Sequence, residues 1–263
     1  MTGTPPDAVL RLMRKDSVAR KLRRNCGRVI ARYALIEPED RILVSLSGGK
    51  DSWVMLVLLS YLRYRSAFDF DVFPVHVAPG IATYDAEELR RRSPLWLPEI
   101  HIERTDMRGV VVENGEAGKS PCAFCAVLRR GILARVAGEH GCNKIALGHQ
   151  ADDVIETALL GMLYRGKLGR MAPRTWLSRR QLTVIRPMCT CWERDIARLA
   201  ERLDLPVIDR TCPFPVHASP SRVRIKALLA GLENEHRGIK SNLLRAVGNL
   251  TMEDEEDGER PLD

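Results

Sequence analysis

The chain has 263 residues, 45% hydrophobic and 29% charged, with 19 glycines and 15 prolines. This composition excludes a disordered chain, a collagen and a disulfide-dense miniprotein, and the length allows a real hydrophobic core. The formal charge is +7, but residues 253–263 hold seven acids and one arginine, a sum of −6, so the rest of the chain carries +13. Residues 1–32 alone carry nine Lys/Arg against two Asp, and a second basic run comprises Arg222, Arg224, Lys226, Arg237, Lys240 and Arg245. A body of this sign attracts a polyanion, nucleic acid first. Aromatic residues make up only 5%, too few for a base-stacking platform.

The longest nearly unbroken apolar run, residues 53–62, is half of the roughly twenty residues that a membrane span requires. Arg11, Arg14 and Lys15 interrupt any apolar leader, so the expectation is a cytoplasmic protein. Seven cysteines in such a chain point to thiol, metal or redox chemistry rather than structural disulfides.

In chain order, residues 1–35 read as an added basic helix. Residues 41–46 (RILVSL) are a predicted strand and 52–63 a buried helix. Residues 71–77 and 99–103 are further strands. Residues 126–140 are helical, 144–147 a strand, 152–164 a helix with Ile155, Leu159 and Met162 on one face. Residues 183–186 form a strand stopped by Pro187, 193–203 a helix, and 206–208 a possible terminal strand. The alternation predicts an α/β fold, a parallel sheet of five strands covered by helices, with a small helical extension after Cys212.

Ser47-Gly48-Gly49-Lys50-Asp51-Ser52 follows a predicted strand and opens a helix. Glycines there let backbone N–H groups approach an anion, and the helix N-terminus adds partial positive charge. Lys50 supplies a point charge, Ser47 and Ser52 hydroxyl donors, and Asp51 a carboxylate suited to magnesium. The Walker pattern is absent, because Val44 stands five residues before Gly49. Gly148-His149-Gln150-Ala151-Asp152-Asp153 again lies between a strand and a helix, so both loops are expected at the carboxyl edge of the sheet, where ligands of doubly wound folds bind. Asp152 and Asp153 also suit helix capping.

Cys122 and Cys125 are three residues apart at a predicted helix start, a spacing that suits zinc, a redox disulfide or an iron–sulfur centre. Cys212 is a candidate third ligand. Three thiolates with an open position suit a reactive iron–sulfur cluster better than a closed structural zinc. Cys26, Cys142, Cys189 and Cys191 read mainly as packing residues.

The loop at 47–52 resembles the PP-loop of the ATP pyrophosphatase superfamily, whose members split ATP into AMP and pyrophosphate. Further matching stretches are Lys21-Leu22-Arg23-Arg24-Asn25, Cys122-x-x-Cys125 with Leu128-Arg129-Arg130-Gly131, and residues 144–149 with Asp152-Asp153. Tyr164-x-Gly166-Lys167, Met171-x-Pro173, Ile185-Arg186-Pro187 and Cys212 complete the set. Over about four-fifths of its length the chain is thus similar to the tRNA 2-thiocytidine synthetase family. The resemblance implies a HUP-type sheet, a 4Fe-4S cluster on Cys122, Cys125 and Cys212, and ATP and Mg2+ at Ser47–Ser52, Gly148, His149, Asp152 and Asp153. It implies adenylation and thiolation of cytidine 32 in the tRNA anticodon loop, with Asp51 and the three cysteines catalytic. It also implies a cysteine desulfurase as sulfur source and a homodimer. The domain reading is a basic segment at 1–35, a PP-loop domain at 36–210, a helical extension at 211–250 and a disordered acidic tail at 251–263. The family pattern is broken at Pro215, where a spare cysteine is usual, at Gln150, at Gly161 and at Val77-Ala78-Pro79-Gly80. The alternatives are thiolation of another RNA nucleoside or a free base, a lysidine-type ligase, and a zinc-stabilised RNA-binding module.

Overall fold

A computed structural model describes residues 4–80, 85–113, 121–208 and 220–252. Two N-terminal helices, α1 (Asp7–Lys15) and α2 (Ser17–Arg32), stand where one was expected. Asp16 divides them: its extended backbone ends α1, and its carboxylate accepts from the N–H groups of Val18 and Ala19 at 2.9 Å, capping α2. The apolar side chains of these basic helices, Met13, Leu22 and Val29, belong to the main core rather than to a separate appendage.

The following elements are β1 (Arg41–Ser45), α3 (Lys50–Arg65), β2 (Asp71–Ala78), α4 (Glu87–Arg92), β3 (His101–Arg104), α5 (Met107–Glu113), α6 (Pro121–Glu139) and β4 (Lys144–Ala146). Then come α7 (Ala151–Arg165), β5 (Arg174–Leu177), β6 (Leu182–Ile185), α8 (Glu193–Arg202), α9 (Pro220–Glu235) and α10 (Ile239–Met252). Among the described residues no helix is long and apolar enough to cross a membrane. The strands form one sheet in the order β3-β2-β1-β4-β6-β5. Every pairing is parallel except β5 with β6.

The sheet therefore has six strands, not five. The extra one, β5, is a four-residue edge strand whose residues alternate between exposed and half-buried, and so short an edge segment carries almost no hydrophobic periodicity. Residues 206–208 are not a strand. The N–H of Ile208 instead donates to Gly48 O at 3.1 Å, tying this segment to the glycine loop.

Helix α3 is buried on all sides from Ser52 to Tyr61, which explains why its sequence is a continuous apolar run rather than an amphipathic one. At the amino edge of the sheet, the buried ammonium of Lys144 lies 2.7 Å from Asp40 and 2.8 Å from Glu37. Asn143 Nδ2 also donates to Asp40 at 2.7 Å, so the desolvated carboxylate is fully engaged.

From β1 the chain moves out to β2 and β3, then returns to place β4 on the other flank of β1. The carboxyl ends of β1 and β4 are thus the topological switch point of the sheet. Helix α6 packs on β1, β2 and β4 and ends just before β4 begins. It runs antiparallel to the strands, so its first turn stands at the carboxyl edge.

The glycine at position 161 has a steric cause. A Cβ there would sit 2.3 Å from Gly169 N and 2.5 Å from Lys167 O, because the loop after α7 folds back against the helix backbone. Gly169 is equally confined, with Thr157 O 2.1 Å from its ideal Cβ. Gly161→Ala is expected to destabilise the protein by about 1–3 kcal/mol in urea unfolding, as overpacking does. Unchanged stability would show that this loop is not seated on α7.

Candidate nucleotide and thiol site

The glycine loop joins β1 to α3 at the switch point. Gly48 has φ +84°, the left-handed region that favours glycine, and its carbonyl is held by Ile208. Ser52 closes the loop internally: its Oγ accepts from Ser47 N–H at 3.1 Å, donates to Gly49 O at 2.8 Å and lies 3.2 Å from Ser47 Oγ. The loop is therefore shaped before any ligand arrives.

Lys50, the first residue of α3, points its ammonium at Glu193 Oε1, 2.8 Å away, with Asp51 Oδ1 at 3.2 Å. Burial opposes the lysine's charge, but the hydrogen bond it donates to Glu193 and the nearby Asp51 carboxylate outweigh it and hold its pKa above the usual value. The same hydrogen bond holds Glu193 below the usual carboxylate range. Burial raises Asp51 against the opposing pull of Lys50.

The second loop ends β4 and caps α7. Gln150 Oε1 accepts from Asp152 N–H at 2.8 Å, and Asp153 Oδ2 accepts from Gln150 N–H at 3.0 Å, a reciprocal capping arrangement. Gly148 is where the two loops meet: a Cβ there would lie 3.3 Å from the carbonyl carbon of Asp51 and from Ser52 N. Asp152 is buried and bridges two elements, accepting from Glu193 N–H at 3.0 Å and pairing with Lys240 of α10 at 2.8 Å. In this structure both aspartates thus brace the loops. Glu193 and Lys240, with Asp152, Lys50, Trp192, Arg194 and others, line a cleft of about 410 Å³.

The sequence reading missed Glu193, Lys240 and a third group on the same side. Glu156, buried on α7, faces Arg222 and Lys226 of α9 at 3.6 and 3.7 Å. The available signal was the acid at the N-terminus of the predicted helix 193–203 and the basic run beyond residue 220. Neither names its partner, because the contacts span 40 to 140 positions.

Cys122 and Cys125 lie on the first turn of α6. Cys125 is half-buried and packs against the cluster containing Leu133, Ile145 and Val184. The side chain of Cys122, and Cys212 as a whole, lie outside the described residues. Cys26, Cys142, Cys189 and Cys191 are buried, and burial pushes the Cys189 thiol up to about 11 and Cys191 to about 12, a packing environment.

His149 belongs to the second loop, and its Nδ1 is buried and without a hydrogen-bond partner. Burial first, then Arg186, Arg222 and Arg130, lower its pKa to about 4, so it is neutral at physiological pH. The unfolded chain protonates near 6.5 and the folded one near 4, so folding stability falls as pH drops through that window. By pH 4 the loss reaches about 3 kcal/mol. His149→Gln removes it, so the wild-type and variant unfolding energies should draw together by that amount between pH 7 and pH 4. A constant difference in urea titrations would contradict the assignment.

Comparison with known proteins adds to this geometry. A family model described as a PP-loop domain matches residues 17–211. The tRNA-cytidine(32) 2-sulfurtransferase of Syntrophotalea carbinolica is 40% identical over 236 residues, covering 90% of this chain and 91% of the relative. The enzyme of the same description from Geobacter metallireducens is 38% identical over 231 residues, covering 88% and 90%. Among solved structures, the U34-tRNA thiolase of Methanococcus maripaludis with its 4Fe-4S cluster aligns at a TM-score of 0.76 and 26% identity, over 93% of this chain and 82% of that one. A glycine loop at the switch point, a second loop packed on it and this extent of identity agree: the chain belongs to the PP-loop family, with the tRNA-cytidine(32) 2-sulfurtransferases.

Proposed function

We propose that this protein is an ATP-dependent tRNA sulfurtransferase that replaces the C2 oxygen of cytidine 32 with sulfur. The observation that carries the reading is the meeting of the two carboxyl-edge loops at Gly148, with the first turn of α6 at the same edge. Relatives of that description, and the cluster-bearing thiolase, support it.

In this reading Ser47, Gly48, Gly49, Lys50 and Ser52 hold the triphosphate, and Asp51 holds Mg2+. Lys50 exchanges Glu193 for phosphate oxygens. The C2 oxygen attacks the α-phosphorus and pyrophosphate departs, its growing charge met by Lys50 and the loop amides. A sulfur nucleophile then adds at C2, and the C–O bond breaks with release of AMP. Gly148 lets the second loop seat against the start of α3 beside the adenylate, and His149, neutral, faces the base without adding a charge. Asp152 and Asp153 keep the second loop and Glu193 in place.

Cys122 and Cys125, at i and i+3 on a helix N-terminal turn, are a soft-thiolate pair on one face, which fits two ligands of an iron–sulfur cluster. Cys212 is proposed as the third. When bound, a 4Fe-4S cluster supplies an iron with a coordination position that no protein ligand fills. A cysteine desulfurase as sulfur source, a homodimer and a cytoplasmic location belong to the same reading. So does the division into a PP-loop domain at 36–210, a basic helical segment at 1–35, a helical extension at 211–250 and an acidic tail, of whose expected span, 251–263, the first two residues complete α10.

Lys50→Ala is expected to cut tRNA-dependent pyrophosphate release by about 10²–10³-fold. Cys125→Ala, purified and assayed without oxygen, should keep pyrophosphate release but yield no 2-thiocytidine by nucleoside mass spectrometry. Wild-type thiolation by that variant would reject the cluster. Removing the competing carboxylate should help the nucleotide: Glu193→Gln is expected to tighten binding of a non-hydrolysable ATP analogue about three- to ten-fold in calorimetry. Weaker binding would mean that Glu193 positions Lys50 rather than competing for it.

A further inference from the structure

The cations around the glycine loop have carboxylate neighbours: Lys50 has Glu193, Lys240 has Asp152, and Lys226 has Glu156 and Glu193. Arg186, at the carboxyl end of β6, is different. Its Nη1 donates to Ala172 O at 2.7 Å and to Thr175 Oγ1 at 3.0 Å, so the β5–β6 hairpin fixes the guanidinium plane. Its Nε is buried and has no partner, and among the described residues no carboxylate forms an ion pair with it. Cys189, which as a thiolate would balance it, is kept a neutral thiol by burial, and Arg130 of α6 has the same sign. His149 beside Arg186 leaves its buried Nδ1 unpartnered. Two unmet polar groups thus lie together, and Arg130 of α6 adds positive charge to both. Arg186 is half-buried, its Nε is shut off from water, and a guanidinium so placed without an anion is costly; the anion that meets its planar fork best is a carboxylate or a phosphate.

We propose that Arg186, with His149 beside it, forms a subsite for a backbone phosphate of the RNA substrate, distinct from the triphosphate loop. The proposal rests on the tRNA reading above. The sheet order favours RNA over nucleotide. β4 lies between β1 and β6. Two strand spacings of about 4.8 Å put the end of β6 on the order of 10 Å from the glycine loop. Leu182 and Val184 of β6 share a cluster with Leu133 of α6, and Arg186, next in that alternation and within electrostatic reach of Arg130, lies on the side of the thiol helix, where the target base must arrive. A base drawn out of an anticodon loop needs its flanking phosphate clamped, and a braced arginine does this without ordering cost on binding. Thr175 is then a positioning residue, acting through Arg186.

The test measures tRNA binding to the anaerobically prepared protein across a salt series, alongside binding of a non-hydrolysable ATP analogue. For Arg186→Gln the Kd for unmodified tRNA should rise about ten-fold, and the slope of log Kd against log salt should fall by about one. Affinity for the ATP analogue should stay unchanged. Thr175→Val keeps the charge and loses one brace, so tRNA binding should weaken about two- to three-fold with the slope intact. A folded Arg186→Gln protein with wild-type tRNA affinity and slope overturns the proposal. So does a loss confined to the ATP analogue, which would make Arg186 part of the nucleotide site. If Arg186→Gln does not fold, Thr175→Val decides: unchanged tRNA affinity overturns the subsite. Failure of the wild-type protein to thiolate tRNA would instead overturn the functional reading itself.

Discussion

The contact between the Lys50 ammonium and the Glu193 carboxylate organises the whole carboxyl edge. A lysine at a helix N-terminus faces the positive end of the dipole and is unfavourable there without an anion. Glu193 supplies one from a helix more than 140 positions away in sequence. Its own backbone N–H is held by Asp152, and Asp152 is held by Lys240. Four elements, α3, α8, α7 and α10, are thus joined by two ion pairs linked through one backbone hydrogen bond. The glycine loop stands at one end of that line of contacts.

The backbone gives the arrangement its precision. The switch in strand order between the parallel neighbours β1 and β4 brings two loops to one edge, and Gly148 lets them touch with no side chain between. Ser52 and Gln150 then close the hydrogen bonds inside each loop, so neither needs a ligand to adopt its shape. Such preorganisation matters for adenyl transfer, where the protein contributes mainly position and charge. The orientation of α6 is a further product of topology. A helix leading into a parallel strand must start at the opposite edge, and this puts its first turn beside the loops.

Much of this was legible in the sequence. The glycine loop, the motif from Gly148 to Asp153 and the α/β alternation follow from local pattern, and the parallel strands fall where hydrophobic runs predicted them. Three kinds of feature did not show. β5 is too short and too exposed to carry periodicity. The basic start of the chain hid two helices, because the break at Asp16 is a single capping residue within a charged run. The roles of Asp152 and Glu193 depend on partners far along the chain, and one sequence does not report pairing. Gly161 read as a departure from a family pattern; the structure gives it a steric reason in the returning backbone of residues 167–169. The thiol trio was visible only as spacing: Cys125 is placed, while Cys212 lies outside the described residues.

The ion pair between Lys240 and Asp152 gives α10 a stake in events at the opposite end of the sequence. Shortening the chain before residue 239 would strip the buried aspartate of its cation and loosen the support under Glu193. An alteration made for convenience near the C-terminus, such as a fusion partner or a trimmed expression boundary, therefore reaches the contacts around the glycine loop.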